Sequence, residues 1–389
     1  MSYMIIRWNI IGLLGLLLGL ISCGEQDSPA GPPAAMVDYQ HPIPFAPEKY
    51  VCYQTMTPLA IDGKQQETAW EKAPWTQSFV DIEGDLKPKP ALETRAKMLW
   101  DKDYFYFYAQ MEEPHIWAKL VQRDAVIYYD DDFEIFIDPD GDGHNYYEFE
   151  VNAFNTLWEL LLLRPYRVDE EPKVLFNWNI PNIKTAVHIE GTLNDPSDED
   201  QYWSVEMAIP WTALKELAPK ERGPKAGEQW RVNFSRVDWT MEIKEGEYVK
   251  VKDAATGNSL PENNWVWSPT GQINMHMPEQ WGYVQFSALE AGAGEEAFVD
   301  QPEEAIKWSL WQLYFQQLAY FEKNQRYSDD LKDFNLPTID NADCSLEPVF
   351  YTSPQWFEII APSCDRQTRW RMRADGKLDQ LSPITAKSE

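Results

Sequence analysis

The stretch Asp130-Asp131-Asp132-Phe133-Glu134-Ile135-Phe136-Ile137-Asp138-Pro139-Asp140-Gly141-Asp142-Gly143-His144-Asn145-Tyr146-Tyr147-Glu148-Phe149-Glu150-Val151-Asn152 decides the fold class. Two runs of alternating apolar and polar residues flank a turn of aspartates and glycines, the pattern of an antiparallel β-hairpin. Successive side chains on a strand point to opposite faces. Phe133, Ile135 and Ile137 therefore share a face with Tyr147, Phe149 and Val151 of the partner strand, and that face is expected in the core. The other face carries Glu134, Phe136, Glu148, Glu150 and Asn152, and is expected to meet solvent or a ligand.

The turn itself, Asp138, Asp140, Asp142 and Gly143, matches the first half of a helix-loop-helix calcium loop. The match then fails. With Asp138 as first ligand, the twelfth position is Phe149, and a strand rather than a helix precedes the turn. Two readings stay open: calcium held by carboxylates in a β-loop, or a plain Asp-Gly turn that tolerates positive φ.

Outside the hairpin, 389 residues with 44% hydrophobic content supply ample material for a core. The 18 Trp, 19 Tyr and 17 Phe exceed what packing alone requires, so some are expected to be exposed for binding. A net charge of −29 excludes a nucleic-acid partner, which needs a basic surface. A neutral ligand such as a sugar meets no repulsion from such a surface.

At the N-terminus, Arg7 precedes an apolar run from Ile10 to Ile21 that is too short to span a bilayer and is sized as a signal-peptide core. Leu20-Ile21-Ser22-Cys23-Gly24 follows and resembles the bacterial lipobox. This predicts removal of residues 1–22 and lipid attachment at Cys23, with a membrane as partner through that anchor. Gly24 suits the outer membrane, which places the protein in the cell envelope of a Gram-negative bacterium. Residues 23–48 hold prolines at 29, 32, 33, 42, 44 and 47, as expected of an extended tether.

Residues 49–290 repeat short Tyr-, Phe-, Trp-, Val- and Ile-rich runs separated by Asp, Gly, Pro and Asn. Strands are expected over 95–100, 104–112, 133–137, 146–152, 187–192, 201–209, 230–237 and 281–287, with one short helix from Pro210. The spacing predicts a mainly β fold, an antiparallel, jelly-roll-like β-sandwich.

Six blocks of this region resemble carbohydrate-binding module family 9. They are Ile61-Asp62-Gly63 with Trp70; Met98 to Asp101 with Tyr104 to Tyr106; Asp131 to Asp138; Trp203 to Trp211; Trp230 to Arg236; and Pro278 to Gly282. The resemblance implies a β-sandwich that clamps a pyranose between aromatic rings and commonly holds structural calcium. Sugar C–H faces stack on indoles while amides, carboxylates and arginine bond the hydroxyls.

On that basis Trp117, after a strand end, pairs with Trp265 or Trp267 in a second loop as the expected clamp. Arg236 and Asp238, read as facing away from the core, join Glu150 and Asn152 as candidates for hydroxyl recognition. Asp138, Asp140 and Asp142 are the calcium candidates. Each indole competes with a simple packing role, and the polar group with a salt-bridged sheet face.

Residues 291–389 change grammar. Ile306, Leu310, Leu313, Tyr314, Gln317, Leu318 and Phe321 mark one face of an amphipathic helix, and short strands are expected over 350–360 and 370–378. This reads as a small α+β appendage, with Cys344 and Cys364 placed for a disulfide in an oxidising compartment and Cys52 left as a buried residue.

The preferred function is a non-catalytic, lipid-anchored binder of poly- or oligosaccharide. Two alternatives stand beside it. One is a glycoside hydrolase using Glu134 with Glu148 or Glu150 in carbohydrate catabolism. The other is an envelope scaffold that meets a protein partner through its C-terminal appendage.

Overall fold

The computed structural model describes residues 45–168, 173–218, 222–339 and 344–382. The expected signal peptide, Cys23 and most of the tether lie outside the described residues.

Strands β1 (Lys49–Gln54), β2 (Val80–Asp81), β3 (Thr94–Trp100), β4 (Tyr104–Glu112), β5 (Asp132–Asp138), β6 (Tyr146–Asn152), β7 (Leu157–Leu162) and β8 (Val174–Leu175) come first. They are followed by β9 (Lys184–Glu190), β10 (Tyr202–Pro210), β11 (Gln229–Asp238), β12 (Met241–Lys244), β13 (Glu247–Lys250), β14 (Asn263–Val266) and β15 (Gly282–Glu290). Two short helices, α1 (Thr68–Lys72) and α2 (Trp211–Leu214), interrupt them. The expected strands and the helix after Pro210 are all present.

Thirteen strands make one sheet, ordered β8-β7-β6-β5-β11-β15-β1-β3-β4-β10-β9, with β14 against β11 and β2 against β14, while β12 and β13 form a separate hairpin. Pairing is antiparallel except at β1, which runs parallel to both β15 and β3. The sheet folds over so that its two halves face each other. Phe107 on β4 meets Phe234 on β11 edge-on with centroids 5.9 Å apart, and Phe105 meets Phe286 on β15 at 5.2 Å. Phe79 stacks on Phe133 and Phe234 at 6.4 and 6.2 Å. These rings fill one core, and the fold is a β-sandwich. Phe133, Ile135, Ile137, Tyr147, Phe149 and Val151 lie in that core.

A buried carboxylate ties the first family-like block to the sandwich. Glu206 on β10 accepts from Trp70 Nε1 at 2.8 Å and from the backbone amides of Asp62 and Gly63 at 2.8 and 3.1 Å. Gly63 has φ +83°, and a Cβ there would lie 2.6 Å from the His188 amide nitrogen, so glycine is required at this crossing.

The C-terminal part consists of α3 (Glu303–Asn324) and a four-stranded antiparallel sheet of β16 (Val349–Ser353), β17 (Trp356–Pro362), β18 (Arg369–Arg373) and β19 (Leu378–Leu381). The run expected as one strand over 350–360 is therefore two. Ile306, Leu310, Leu313 and Tyr314 of α3 pack on Phe357, Ile359 and Met372, forming a second core. A disulfide joins Cys344 to Cys364, and Cys52 is free and buried.

This α+β part docks on the acidic turn between β5 and β6. Lys377 Nζ pairs with Asp142 at 2.6 Å, His144 Nε2 donates to the Asp375 carbonyl at 2.8 Å, and the Leu378 amide donates to the Asp142 carbonyl at 2.9 Å. Glu304 of α3 adds contacts to Arg231 at 3.5 Å and to the Tyr283 hydroxyl.

Candidate functional site

The outer face of the β5–β6 hairpin is covered rather than open to solvent. Phe136 is 1% exposed and joins Ile127, Tyr146, Trp158, Leu160 and Trp281 in an apolar cluster on this side of the sheet. The expectation of a solvated face fails because the segments around residues 120–130 and 275–281 fold across it.

Beside that cluster lies a floor of four carboxylates. Asp132 and Glu134 come from β5, Glu148 and Glu150 from β6, and Glu134 stands directly opposite Glu150 in the ladder. Their exposures are 0, 6, 4 and 2%. Burial first pushes all four carboxyls up, Glu134 to about 7, and repulsion adds to it, from within the group at Asp132, Glu148 and Glu150 and from Glu262 at Glu134. Glu150 Oε2 accepts from the Tyr128 amide at 3.0 Å, whereas both oxygens of Asp132 and Oε2 of Glu148 have no hydrogen-bond partner among the described residues.

Two half-buried tyrosines frame the floor. The hydroxyls of Tyr128 and Tyr166 are pushed up by burial first; the Glu150 charge adds to this at both, and those of Glu134 and Glu148 at Tyr166 as well. Tyr166 sits edge-on to the His276 ring at 4.2 Å, and Tyr146 Oη contacts His276 Nδ1 at 2.9 Å. His276 is driven down to about 3 by burial and by Arg167, which keeps the ring neutral. Arg167 pairs with Glu279 at 3.0 Å and donates to the His276 carbonyl at 2.9 Å. The floor is rich in acceptors, and such a group suits a neutral, hydroxyl-bearing ligand.

Sequence reasoning reached Glu134, Glu148 and Glu150 but missed Asp132, Tyr128, Tyr166, Arg167, His276 and Glu279. Alternation along β5 already placed Asp132 on the same face as Glu134. The others arrive from three separate segments with no local spacing to betray them.

The expected indole clamp is not built from exposed faces. Trp117, Trp265 and Trp267 are 2, 7 and 2% exposed. Trp267 packs edge-on to Tyr50 at 6.5 Å and lies against Gly282, where a Cβ would come within 2.5 Å of its ring. Trp265 lies under the Arg236 guanidinium at 4.9 Å, and Trp117 has Lys119 and Lys250 at 5.8 and 5.7 Å. Trp265 lies on β14, paired with β11, and Trp117 and Trp267 lie in loops; all three indoles turn inward, because burying an indole against the sandwich gains more than exposing it.

Arg236 and Asp238 are also corrected. Trp230, Val232, Phe234, Arg236 and Asp238 follow period two on β11, so the arginine lies on the inner face. Arg236 is fully buried and bonds Glu113 at 2.7 Å, Asp238 at 3.0 Å, Thr94 Oγ1 at 3.1 Å and the Glu112 carbonyl at 2.8 Å. This is a closed ion-pair hub. Asn152 is consumed likewise: its amide donates to the Leu120 carbonyl and Asp130 at 2.8 and 2.9 Å, and its oxygen accepts from the Phe154 and Thr156 amides. Of the four hydroxyl-recognition candidates, only Glu150 belongs to the carboxylate floor.

In the acidic turn, Asp138, Asp140 and Asp142 bring one oxygen each within 4.8 Å of one another. Asp138 accepts from the Gly141 and Gly143 amides at 2.9 and 3.0 Å, and the Lys377 ammonium sits on Asp142. The chain itself thus supplies donors and a positive charge to this turn.

A family model described as carbohydrate family 9 binding domain-like matches residues 61–286, more than half of the chain. The chain belongs to that family. Within it, the matched stretch of this family 9 domain holds every floor and frame residue named above. Endo-1,4-beta-xylanase C of Paenibacillus barcinonensis is 33% identical over 98 residues, covering 25% of this chain and 8% of the xylanase's length. A protein of Bacteroides uniformis provisionally assigned to carbohydrate binding aligns at 17% identity and TM-score 0.44, covering 62% of this chain and 100% of that one. A carbohydrate-binding module family 9 domain of Caldicellulosiruptor kristjanssonii, solved with cellotriose, aligns at 14% identity and TM-score 0.38, covering 64% of this chain and 99% of that one.

Proposed function

We propose that the protein is a non-catalytic carbohydrate-binding lipoprotein that captures neutral oligo- or polysaccharide at the carboxylate floor framed by Tyr128 and Tyr166. The observation that carries this reading is the acceptor-rich floor of Asp132, Glu134, Glu148 and Glu150 under two half-buried phenols, set in a family 9 domain. Carboxylates and phenols bond hydroxyls, and the tyrosine rings offer apolar edges to pyranose C–H groups. The aromatic clamp of the family is replaced in this reading by tyrosines. Tethering through Cys23 to the outer membrane belongs to the same proposal and rests on the lipobox-like sequence.

Hydrolysis is the weaker reading. A glycosidase needs one carboxyl kept protonated and a second kept ionised, and here burial raises all four together. An envelope scaffold is the other, and the α+β part already uses its turn-facing side within the chain.

Titration of the mature chain against a panel of soluble neutral glycans is expected to give heat for at least one, lost in Tyr166→Ala. A blank across the panel overturns the proposal. Metabolic labelling with a fatty acid, compared with Cys23→Ser, tests the anchor.

A further inference from the structure

The family 9 match ends at residue 286, and the part of the chain beyond it meets the sandwich across a cavity of two lobes. One lobe, of about 310 Å³, is lined by Arg231, Lys307 and Asp140. The other, of about 410 Å³, is lined by Phe45, Pro47 and Phe298. Gln229, Tyr283, Gln301 and Glu304 line both lobes and form the waist between them. Each lobe falls within the roughly 300–1,000 Å³ of small-ligand pockets.

Buried groups fix the waist. Tyr283 is 7% exposed, its ring lies under the Arg231 guanidinium at 3.6 Å, and its hydroxyl donates to Glu304. Arg231 is 8% exposed and donates to the Trp281 carbonyl at 2.7 Å. Burial pulls the Glu304 carboxyl up, yet Lys307 and Arg231 hold it below its ordinary value, so it stays an acceptor. The two amides keep unused capacity. Gln229 donates through Nε2 to Gln285 Oε1 and the Val299 carbonyl at 3.1 and 2.6 Å, which leaves its oxygen without a donor among the described residues. The exposed Gln301 side chain has no partner among the described residues.

The charges of the lining cancel. Lys49 pairs with Asp300 at 2.5 Å, Lys307 and Arg231 share Glu304 at 2.7 and 3.5 Å, and Arg222 holds Glu228. With the exposed Asp140 counted, four acids face four bases. In a chain of net charge −29 this is a locally neutral cavity, which offers an ionic ligand no opposite charge. Its amides both donate and accept, as a hydroxyl does, and the Phe298 and Phe45 rings supply apolar surface for C–H groups.

We propose that this junction is a second glycan site, separate from the carboxylate floor, which takes a neutral disaccharide unit with one ring in each lobe. From the preceding reading it takes only the class of ligand. Phe45, Pro47, Phe298, Gln301, Glu304 and Lys307 all lie outside the family match, so the C-terminal part completes a site that a family 9 domain alone lacks.

The test is calorimetric titration of the mature chain at pH 7.5 with cellobiose, xylobiose and mannobiose, and with digalacturonic acid as the charged counterpart. At least one neutral disaccharide is expected to bind at a site that weakens about tenfold or more in Gln301→Trp, whose bulk fills the waist, and about tenfold in Phe298→Ala. Tyr166→Ala is expected to leave this site unchanged. Circular dichroism confirms that each variant is folded; if Phe298→Ala is not, Gln301→Trp decides. The proposal is overturned if none of the three neutral disaccharides binds, if binding survives Gln301→Trp, or if digalacturonic acid binds as tightly as the best of them. Binding lost in Tyr166→Ala but indifferent to Gln301→Trp refutes the junction and leaves the floor standing. The reverse pattern supports the junction and removes the floor.

Discussion

Replacing Arg236 by methionine separates a structural hub from a ligand contact. The side chain is fully buried and holds Glu113 and Asp238 at 2.7 and 3.0 Å, with Asp131 close behind them. Removing one partner of a buried ion pair costs about 3–5 kcal/mol, since the remaining charge is stranded. The neutral bonds to Thr94 Oγ1 and the Glu112 carbonyl add about 1 kcal/mol each. Methionine returns part of this by packing on Trp265, so a net loss of about 4 kcal/mol is expected at pH 8. Glu113 is raised to about 7 by burial while Arg236 pulls it down, so the variant's Glu113 titrates higher still. A carboxyl with a raised folded-state pKa binds more protons folded than unfolded, and its penalty fades as pH falls. The stability gap between variant and wild type should therefore narrow toward pH 5. Urea unfolding across that range measures it. Glycan affinity of the folded variant should stay within about threefold of wild type. A variant of unchanged stability that no longer binds glycan would refute this account and return Arg236 to the binding site.

In Glu134→Gln with chelator present, the destabilisation that grows as pH rises from about 4.5 to about 7 should disappear; a raise of that size corresponds to about 3 kcal/mol above pH 7, and an unchanged pH slope would contradict it. Trp117→Ala should lower stability by about 3–5 kcal/mol by thermal or urea unfolding, and a fully stable variant lacking glycan affinity would restore the stacking role. Lys377→Met removes a partly exposed ion pair worth about 1 kcal/mol and should speed proteolytic cleavage between Glu290 and Glu303; an unchanged digestion pattern would show that the contact does not hold the α+β part.

Period-two alternation made the hairpin, its core face and most of the sandwich strands legible, because each strand buries one clean apolar stripe. Leu157–Leu162 escaped it, since both faces of that strand are buried and its sequence shows no alternation. The α3 face was legible for the same reason as the strands, with Ile306, Leu310, Leu313 and Tyr314 recurring at helical spacing. The site was harder. A buried arginine breaks the equation of charge with solvent, and Arg236 was therefore turned to the wrong face. Tryptophans in loop-like sequence can fold inward, and composition does not distinguish a platform from a plug. The carboxylate floor was half visible because it sits on the hairpin, whereas its frame of Tyr166, Arg167 and His276 depends on tertiary convergence.

Strand β1 also sets the order of assembly. Lys49 pairs with Tyr283 and Tyr53 with Leu99, so the first strand of the sandwich has one neighbour nearby and the other well over half the chain away. During synthesis, β3, β4, β10 and β9 can form their ladders before β15 exists. The seam at β1 cannot close until Gly282 to Glu290 have emerged. Such long-range pairing is slow, and the nascent chain carries an unpaired β1 edge throughout. A ribosome-stalled intermediate ending before residue 282 should therefore depend on holding chaperones, whereas one extended beyond Glu290 should not.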